Sequence, residues 1–329
     1  MSAPAQSPAR PLRAAVLDDY QGAALRFGPW DSLGRAVEVT CFADHLPDRA
    51  ALIERLAGFD IICLMRERTA VDADLLDALP RLKLICSTGM WNAALDAHHA
   101  VARGICVSGT ESAGNGTPEL TWLLLLAWAR SFARETAALR AGGWQTGIGA
   151  DLFGKTLGIL GLGYIGERVA KVAGAFGMRV LAYSQNLTAE RAAQAGAELV
   201  AKDRLLALSD VVTIHMKLAA RTRHMVGARE LALMQPGAFL INTSRGPLVD
   251  EAAVVDALVA GRLGGYGVDA YDIEPLPAGH PFRTLPNVVA TPHIGYVTER
   301  AYRLFFTQTV ENIRAWQDGR PQRLMGRPA

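Results

Sequence analysis

Short apolar runs recur along the first third of the chain, and helix-like stretches such as 49–56 and 73–79 separate most of them. The runs span residues 14–17, 37–41, 61–65, 84–86 and 105–107. Strands that alternate with helices are joined by right-handed crossovers, and such strands form a parallel sheet. The pattern therefore predicts a first α/β domain.

A second series begins with a long helix. Thr117 is a plausible N-cap, Pro118 suits the first helical position, and the helical pattern continues to about residue 140, where two glycines end it. Its most apolar part, 120–129, is far shorter than the roughly 20 residues that a membrane span requires. We expect this part to be a buried helix.

Further apolar runs follow this helix with the same alternation. They span residues 156–160, 179–183, 211–215, 239–243, 266–269 and 288–290. They predict a second doubly wound α/β domain. The last amphipathic segment, 299–316, predicts a helix that ends near Gly319. If it packs back onto the first domain, that domain is discontinuous, and the sequence alone leaves this open.

The length predicts two domains, and the charge argues against two classes of partner. A chain of 329 residues exceeds what one hydrophobic core usually supports. A net charge of +2 argues against nucleic-acid or membrane-surface partners, which would require a basic stripe. Residues 1–11 lack the apolar segment of a secretory signal and predict a flexible tail on a cytoplasmic protein.

The cysteines and histidines show no metal-ligand spacing, so we expect no metal site. The four cysteines form no CxxC pair, and each lies in a β-like apolar segment. We expect them to be reduced cysteines of the core.

A glycine motif follows the first strand of the second domain directly. The strand at 156–160 leads into Gly-Leu-Gly-Tyr-Ile-Gly, and a helical stretch follows at 167–176. In this context the glycines allow a tight turn, a close approach of the backbone to a pyrophosphate, and close packing of helix on strand. The motif predicts dinucleotide binding by Gly161, Gly163, Tyr164, Ile165 and Gly166.

The next strand end bears on the choice between NAD and NADP. An acidic residue there would accept from the ribose hydroxyls of NAD, and an arginine would suit the 2′-phosphate of NADP. This chain has Ser184, followed by Gln and Asn. These neutral residues can bind ribose hydroxyls but supply no cation for a 2′-phosphate, so the sequence leans towards NAD.

Three polar residues follow later strands, at the edge of the sheet where ligands of open parallel sheets bind. His293 can donate and accept a proton near neutral pH, as reduction of a ketone requires. Glu274 can orient the imidazole and stabilise its charged form. Arg245 can bind a substrate carboxylate through two parallel hydrogen bonds and polarise the adjacent carbonyl. Together they predict hydride transfer between a nicotinamide dinucleotide and a small 2-keto or 2-hydroxy acid.

These motifs resemble those of the D-isomer-specific 2-hydroxyacid dehydrogenases, the group that includes glycerate, hydroxypyruvate and glyoxylate reductases and phosphoglycerate dehydrogenase. The resemblance runs through nearly the whole chain after the tail. Its most specific segments are 161–166, 242–246, 267–277 and 291–295.

The resemblance implies two doubly wound parallel-sheet domains of the α/β class. A Rossmann cofactor domain at 111–297 is inserted in a flavodoxin-like substrate domain formed by 1–110 and 298–329. It also implies a homodimer joined through the cofactor domains. Asp269 would hold the nicotinamide amide, and Thr243 and the segment from His215 to Thr222 would line the cofactor.

The substrate loop at 87–92 departs from the family pattern. Met90 and Trp91 stand where relatives commonly have small residues. The backbone N–H groups of Gly89 and Met90 could still bind a carboxylate. Arg66 and Arg68 could face the cleft and read a substrate phosphate, although two arginines beside Glu67 are more often a paired surface turn.

The substrate stays open at this stage. Hydroxypyruvate or glyoxylate would fit a small pocket, and 3-phosphoglycerate is less favoured. A dinucleotide-sensing binding protein, like the transcriptional corepressors that share this fold, is an alternative, because fold does not determine function. A third alternative is an enzyme of the same group that acts on formate or phosphite.

Overall fold

Two fully parallel sheets, one of five strands and one of seven, organise the part of the chain that the structure describes, residues 10–326. The structure is a computed structural model. The tail predicted at 1–11 lies outside the described residues, except for its last two. The chain divides into two units, one containing Gly114–Val297 and the other containing the segments before and after it.

The first unit is built on the sheet β2-β1-β3-β4-β5, which is the flavodoxin-like strand order. Its central strands are continuous apolar runs, and every residue of β3 and β4 is buried. Such strands are typical of parallel sheets that helices cover on both faces. The strands are β1 (Leu12–Val16), β2 (Val37–Cys41), β3 (Ile61–Leu64), β4 (Leu84–Ser87) and β5 (Cys106–Ser108), and the helices are α1 (Ala24–Phe27), α2 (Arg49–Leu56), α3 (Ala73–Asp77) and α4 (Ala97–Ala102).

The second unit has the strand order β12-β11-β10-β9-β6-β7-β8, a Rossmann arrangement whose order reverses between β6 and β9. Apolar clusters cover both faces of the sheet. The strands are β6 (Thr156–Leu160), β7 (Arg179–Tyr183), β8 (Glu198–Leu199), β9 (Val211–Ile214), β10 (Phe239–Asn242), β11 (Gly265–Val268) and β12 (Val288–Ala290). The helices are α5 (Gly116–Ala129), α6 (Phe132–Arg140), α7 (Tyr164–Ala175), α8 (Ala189–Gln194), α9 (Lys202–Leu208), α10 (Ala228–Leu233) and α11 (Glu251–Val259).

The last helix, α12 (Glu299–Gln317), belongs to the first unit. Its apolar face is buried, and the ring of Phe306 lies 6.2 Å from that of Trp30. Asn312 donates through Nδ2 to the carbonyl of Gly109 at 2.8 Å. The Rossmann unit is therefore inserted in the flavodoxin-like unit, as the resemblance implies.

The prediction of one long helix from Thr117 to residue 140 was wrong. The helix begins at Gly116, and it breaks at Ser131, which has a left-handed backbone with φ 46°. The prediction that the apolar part is buried was also wrong in part, because Leu123 and Leu126 on α5 are exposed.

The four cysteines all lie in strands of the first sheet and are free thiols. Cys63 and Cys86 are direct register partners on adjacent strands. Burial raises the pKa of the Cys41 thiol to about 11, which keeps it protonated near neutral pH. Within residues 10–326, no helix is both long and apolar enough to cross a membrane.

Candidate active site

In the glycine loop after β6, two glycines have no room for a side chain, and the third has open space around it. Gly161 has φ 105°, and an added Cβ there would lie 2.4 Å from the carbonyl oxygen of His215. An added Cβ at Gly166 would lie 2.2 Å from the carbonyl oxygen of Gly161. At Gly163, by contrast, no heavy atom lies within 4 Å of the added Cβ, so the backbone is accessible to a ligand at this position.

Helix α7 begins inside this motif, at Tyr164, three residues before the predicted start. The Tyr164 side chain points to residues outside the loop: its hydroxyl lies 3.5 Å from Oδ1 of Asn115, and the guanidinium of Arg168 lies 4.4 Å from its ring centroid. Ile165 packs against the core. Both residues therefore offer a ligand their backbone N–H groups, at the positive end of the helix dipole.

Ser184 lies next to the glycine loop. Its Oγ accepts a hydrogen bond from the backbone N–H of Leu162 at 2.9 Å. A cation lies beside the following residue, because Arg221, which belongs to the segment predicted to line the cofactor but was not singled out within it, donates through Nη1 to Oε1 of Gln185 at 2.5 Å. No sequence pattern signals this contact, because 36 residues separate the two positions.

His215 follows β9 and carries a buried nitrogen. Its Nε2 lies 3.0 Å from Oγ1 of Thr213, whereas its Nδ1 has no hydrogen-bond partner among the described residues. Burial lowers the pKa of His215 to about 3, so the ring is neutral at physiological pH. A buried polar atom without a partner carries a free-energy cost that a bound ligand would relieve.

The hydroxyl groups of two predicted cofactor residues form hydrogen bonds within the protein. Thr222 is buried and donates to the carbonyl of Lys217 at 2.8 Å, which fixes the loop that follows His215. Thr243 lies 2.9 Å from the hydroxyl of Thr121. Any contribution of Thr222 to a cofactor site is therefore through the backbone or through packing, whereas Oγ1 of Thr243 can still accept a hydrogen bond, because Thr121 donates its own proton to the carbonyl of Thr117.

Together, these features fit a dinucleotide. Gly163 leaves room for a pyrophosphate, the first turn of α7 supplies N–H donors, and His215 holds an unsatisfied polar atom at the strand end beside the loop. These are the features that a phosphate-binding turn between strand and helix requires.

His293 and Glu274 form a close pair. Nδ1 of His293 lies 2.6 Å from Oε2 of Glu274. The other carboxylate oxygen, Oε1, accepts from the backbone N–H of Tyr271 at 2.9 Å. The carboxylate is thus fixed at both oxygens, and it can hold the imidazole in one orientation.

The backbone of His293 adopts a left-handed conformation, with φ 55°. Such a conformation is costly for a residue other than glycine, and it persists only where the surroundings impose it. Asp269 provides part of that constraint: it is buried, and its carboxylate accepts from the N–H groups of Ile294 and Gly295 at 2.7 and 2.8 Å. Any bond to a nicotinamide amide would come in addition to these.

Thr291 also fixes this loop, although the sequence did not single it out. Its hydroxyl donates to Oδ1 of Asp269 at 2.6 Å, and its carbonyl accepts from the hydroxyl of Tyr271 at 2.7 Å. Burial raises the pKa of Asp269, and these hydrogen bonds act in the opposite direction.

Arg245 is placed by its neighbours. Nδ2 of Asn242 donates to the Arg245 carbonyl at 2.8 Å. An added Cβ at Gly246 would lie 2.0 Å from the backbone of Tyr271, so glycine is required for the Arg245 segment to lie against the segment that leads to Glu274. The two predicted strand-end segments are therefore in direct contact.

The substrate loop belongs to the first unit, and the structure changes its interpretation. The N–H of Gly89 donates to Oγ1 of Thr110 at 2.8 Å, so this donor is already engaged within the protein. Met90 and Trp91 are about half exposed. A carboxylate site at this loop would have to rely on the amides after Gly89.

Arg66 and Arg68 have different neighbours in the first unit. Arg66 donates through Nη1 to the carbonyl of Thr88 at 3.0 Å, and its guanidinium lies over Gly89. Arg68 instead lies over the ring of Tyr20, 4.7 Å from its centroid. Arg66 thus contacts the substrate loop, and its Nε also lies 3.8 Å from Oε2 of Glu67, as a paired turn predicts.

The chain resembles known dehydrogenases along most of its length. Residues 122–295 match the family model described as D-isomer specific 2-hydroxyacid dehydrogenase, NAD binding domain. The glyoxylate reductase of Thermococcus litoralis is 37% identical over 284 residues, which cover 83% of this chain and 85% of that protein. The D-3-phosphoglycerate dehydrogenase of Methanocaldococcus jannaschii is also 37% identical, over 267 residues, which cover 80% of this chain but 51% of that protein.

Solved structures agree with this result. The crystal structure of a phosphoglycerate oxidoreductase from Vibrio cholerae superposes with a TM-score of 0.89 at 35% identity, and the match covers 94% of this chain and 99% of that one. The chain spans about half the length of the phosphoglycerate dehydrogenase it matches, but most of the glyoxylate reductase. The protein belongs to the D-isomer-specific 2-hydroxyacid dehydrogenase family, as an oxidoreductase that transfers hydride between a nicotinamide dinucleotide and small 2-hydroxy or 2-keto acids.

Proposed function

We propose that this enzyme reversibly reduces a small 2-keto acid with His293 as the acid and base. The 2.6 Å contact between Nδ1 of His293 and Oε2 of Glu274 carries the proposal. Because Glu274 holds Nδ1, Nε2 is the nitrogen that exchanges a proton with the substrate oxygen. The bound nicotinamide supplies or accepts the hydride.

Glu274 acts through His293. During reduction the imidazolium gives up its proton, and a carboxylate at Nδ1 stabilises the charged ring before that step. In the direction of oxidation, the neutral ring takes the proton from the hydroxyl group. The bond from Tyr271 N–H keeps the carboxylate in place through both directions.

Arg245 anchors the substrate carboxylate. A guanidinium fork binds a carboxylate through two parallel hydrogen bonds, and its charge also polarises the neighbouring carbonyl. The support comes from its position, since Gly246 packs directly on the backbone that precedes Glu274.

Glyoxylate or hydroxypyruvate is the favoured substrate class. One relative that this chain matches over 85% of its length is a glyoxylate reductase. Arg66 lies on the loop that carries the bulky Met90 and Trp91, and its guanidinium already binds the loop backbone. This arrangement favours a small acid over 3-phosphoglycerate.

We also propose a homodimer joined through the cofactor units. Large apolar side chains are exposed along α5, α6 and the segment that follows them: Leu123, Leu126, Phe132, Leu139, Trp144, Ile148 and Phe153. These elements lie side by side, because the N–H of Ala150 donates to the carbonyl of Ala129 at 2.7 Å. An apolar surface of this kind is typical of a protein interface.

The test follows the loss of NADH or NADPH absorbance with glyoxylate, hydroxypyruvate, pyruvate and phenylpyruvate. We expect turnover with at least one of them, and a fall of orders of magnitude for His293→Asn with dinucleotide binding nearly intact. An equally active variant would remove His293 from its role. Tight dinucleotide binding without turnover would favour the sensor or a substrate outside the panel.

A further inference from the structure

The residues at the end of β7 bear on which dinucleotide this enzyme binds. In this fold the residue that follows the second cofactor strand reads the adenosine ribose, and an acidic residue there selects NAD. Residues 184–188, Ser-Gln-Asn-Leu-Thr, contain no carboxylate. The sequence lean towards NAD rested on these neutral residues, which supply no cation for a 2′-phosphate, whereas Arg221 from another loop lies beside Gln185.

Arg221 is the missing cation. It lies in a short 3₁₀ turn, Ala220–Thr222, and its Nη1 donates to Oε1 of Gln185, one residue after the ribose-reading position. The backbone of this turn is fixed, because Thr222 is buried and its hydroxyl accepts from the N–H of Ala219 at 2.8 Å. With the backbone fixed, Gln185 places the guanidinium beside the end of β7.

Ser184 lies at the same strand end and can donate a hydrogen bond to a ligand. Its Oγ already accepts from the N–H of Leu162, so its hydroxyl proton is available for donation. A phosphate oxygen can only accept, whereas a ribose hydroxyl can accept or donate. A hydroxyl donor and a guanidinium on one side of a strand end match a phosphate better than a pair of ribose hydroxyls.

We propose that Arg221 and Ser184 bind the 2′-phosphate of NADP(H), so that this enzyme prefers NADPH over NADH. This inference rests on the proposed function only in requiring that a dinucleotide binds at the glycine loop. Arg221 determines specificity and takes no part in the transfer of the proton or hydride.

The experiment measures dissociation constants of NADPH and NADH by fluorescence titration, without substrate, for the wild type, Arg221→Ala and Arg223→Ala. Arg223 lies two residues further along, is exposed, and carries the same charge, so its variant controls for net charge. A competition titration with adenosine 2′,5′-bisphosphate and AMP tests the adenosine half alone.

We expect the wild type to bind NADPH more tightly than NADH. Arg221→Ala should raise the NADPH dissociation constant roughly 10- to 100-fold, as loss of a charge-assisted hydrogen bond predicts, and change that of NADH less than about 3-fold. Arg223→Ala should change both by less than about 3-fold. The bisphosphate should compete better than AMP, and only in proteins that keep Arg221.

The outcomes separate the two proposals. Wild-type preference for NADH, or equal loss of both dinucleotides in Arg221→Ala, would overturn the inference and leave the catalytic proposal standing. Failure of the wild type to bind either dinucleotide would overturn the proposed function, and this inference with it.

Discussion

The backbone N–H of Ile294 lies 2.7 Å from Oδ1 of Asp269, and this bond fixes the residue next to His293. The same carboxylate accepts the N–H of Gly295 and the hydroxyl of Thr291. Asp269 therefore ties the end of β11 to the loop that presents the proposed acid. The left-handed backbone of His293 is the conformation that this tie maintains.

Asp269→Asn should lower kcat by about 10- to 100-fold, because the amide NH₂ would face a backbone donor and loosen the loop. A rise in the dinucleotide dissociation constant would report the additional bond that Asp269 is predicted to make to the nicotinamide amide. Asp210→Asn is the matched control, since Asp210 also accepts a backbone N–H, that of Thr156 at 2.8 Å, far from this loop in the strand order. Full kcat in Asp269→Asn would contradict the positioning role.

Glu274→Gln should reduce the rate of keto-acid reduction by about 100-fold or more, because the amide cannot stabilise the imidazolium. The measurement is kcat between pH 5 and 9. Glu251, which accepts from the N–H of Asp272 and lies 3.5 Å from Nε2 of His280, offers a similar pair for comparison. A Glu251→Gln variant that loses as much activity would show that the effect is general.

The strands, and the proximity of His293 to Glu274, were accessible from the sequence for a simple reason. Buried parallel strands are continuous apolar runs, and their carboxyl ends meet at one edge, so His293 and Glu274 had to lie near each other. The break at Ser131 was not accessible, since it depends on one backbone conformation within a helical pattern. Arg221 was missed for another reason: its contact with Gln185 depends on the path of a loop.

The exposed residues of α5 show a further limit of sequence reasoning. An apolar run predicts a helix, but it does not establish that every apolar side chain of that helix is buried within the same chain. Leu123 is 54% exposed although it lies in the middle of the most apolar segment. The apolar run therefore predicted a helix here correctly, but part of that helix is exposed.

Arg245→Lys should raise the KM for the keto acid by about 10- to 100-fold, because lysine keeps the charge but loses the planar fork. Arg245→Ala should lower kcat/KM further. Dinucleotide binding should stay within about 3-fold of the wild type in both variants, which serves as the internal control. Unchanged kinetics in Arg245→Lys would place the carboxylate anchor elsewhere.

A charge in the apolar surface of the cofactor unit should break the proposed dimer. Leu123→Glu and Ile148→Glu would bury a carboxylate at an interface, and each should shift the mass measured by light scattering from about twice 35.3 kDa to 35.3 kDa. Val259→Glu is the control, because Val259 is also well exposed but lies on α11. A wild type that is already monomeric would refute the dimer.

His215 should make the free energy of unfolding depend on pH. Its pKa is lowered to about 3 by burial, whereas an unfolded chain would titrate near 6.5 (an approximate reference value). Between these values the unfolded chain binds a proton that the native state does not. The contribution of the neutral ring is therefore present above about pH 6.5 and is lost as the pH falls, by up to about 1.4 kcal/mol per pH unit.

His215→Gln removes this titration, because glutamine is neutral at every pH. Between pH 8 and pH 5, we expect the free energy of unfolding, measured by urea titration, to fall by about 2 kcal/mol less in the variant than in the wild type. His98 is exposed on α4, so His98→Gln should keep the pH dependence of the wild type. If His215→Gln also kept it, the acid sensitivity would have to come from buried carboxylates instead, since no proton uptake by this ring would then accompany unfolding.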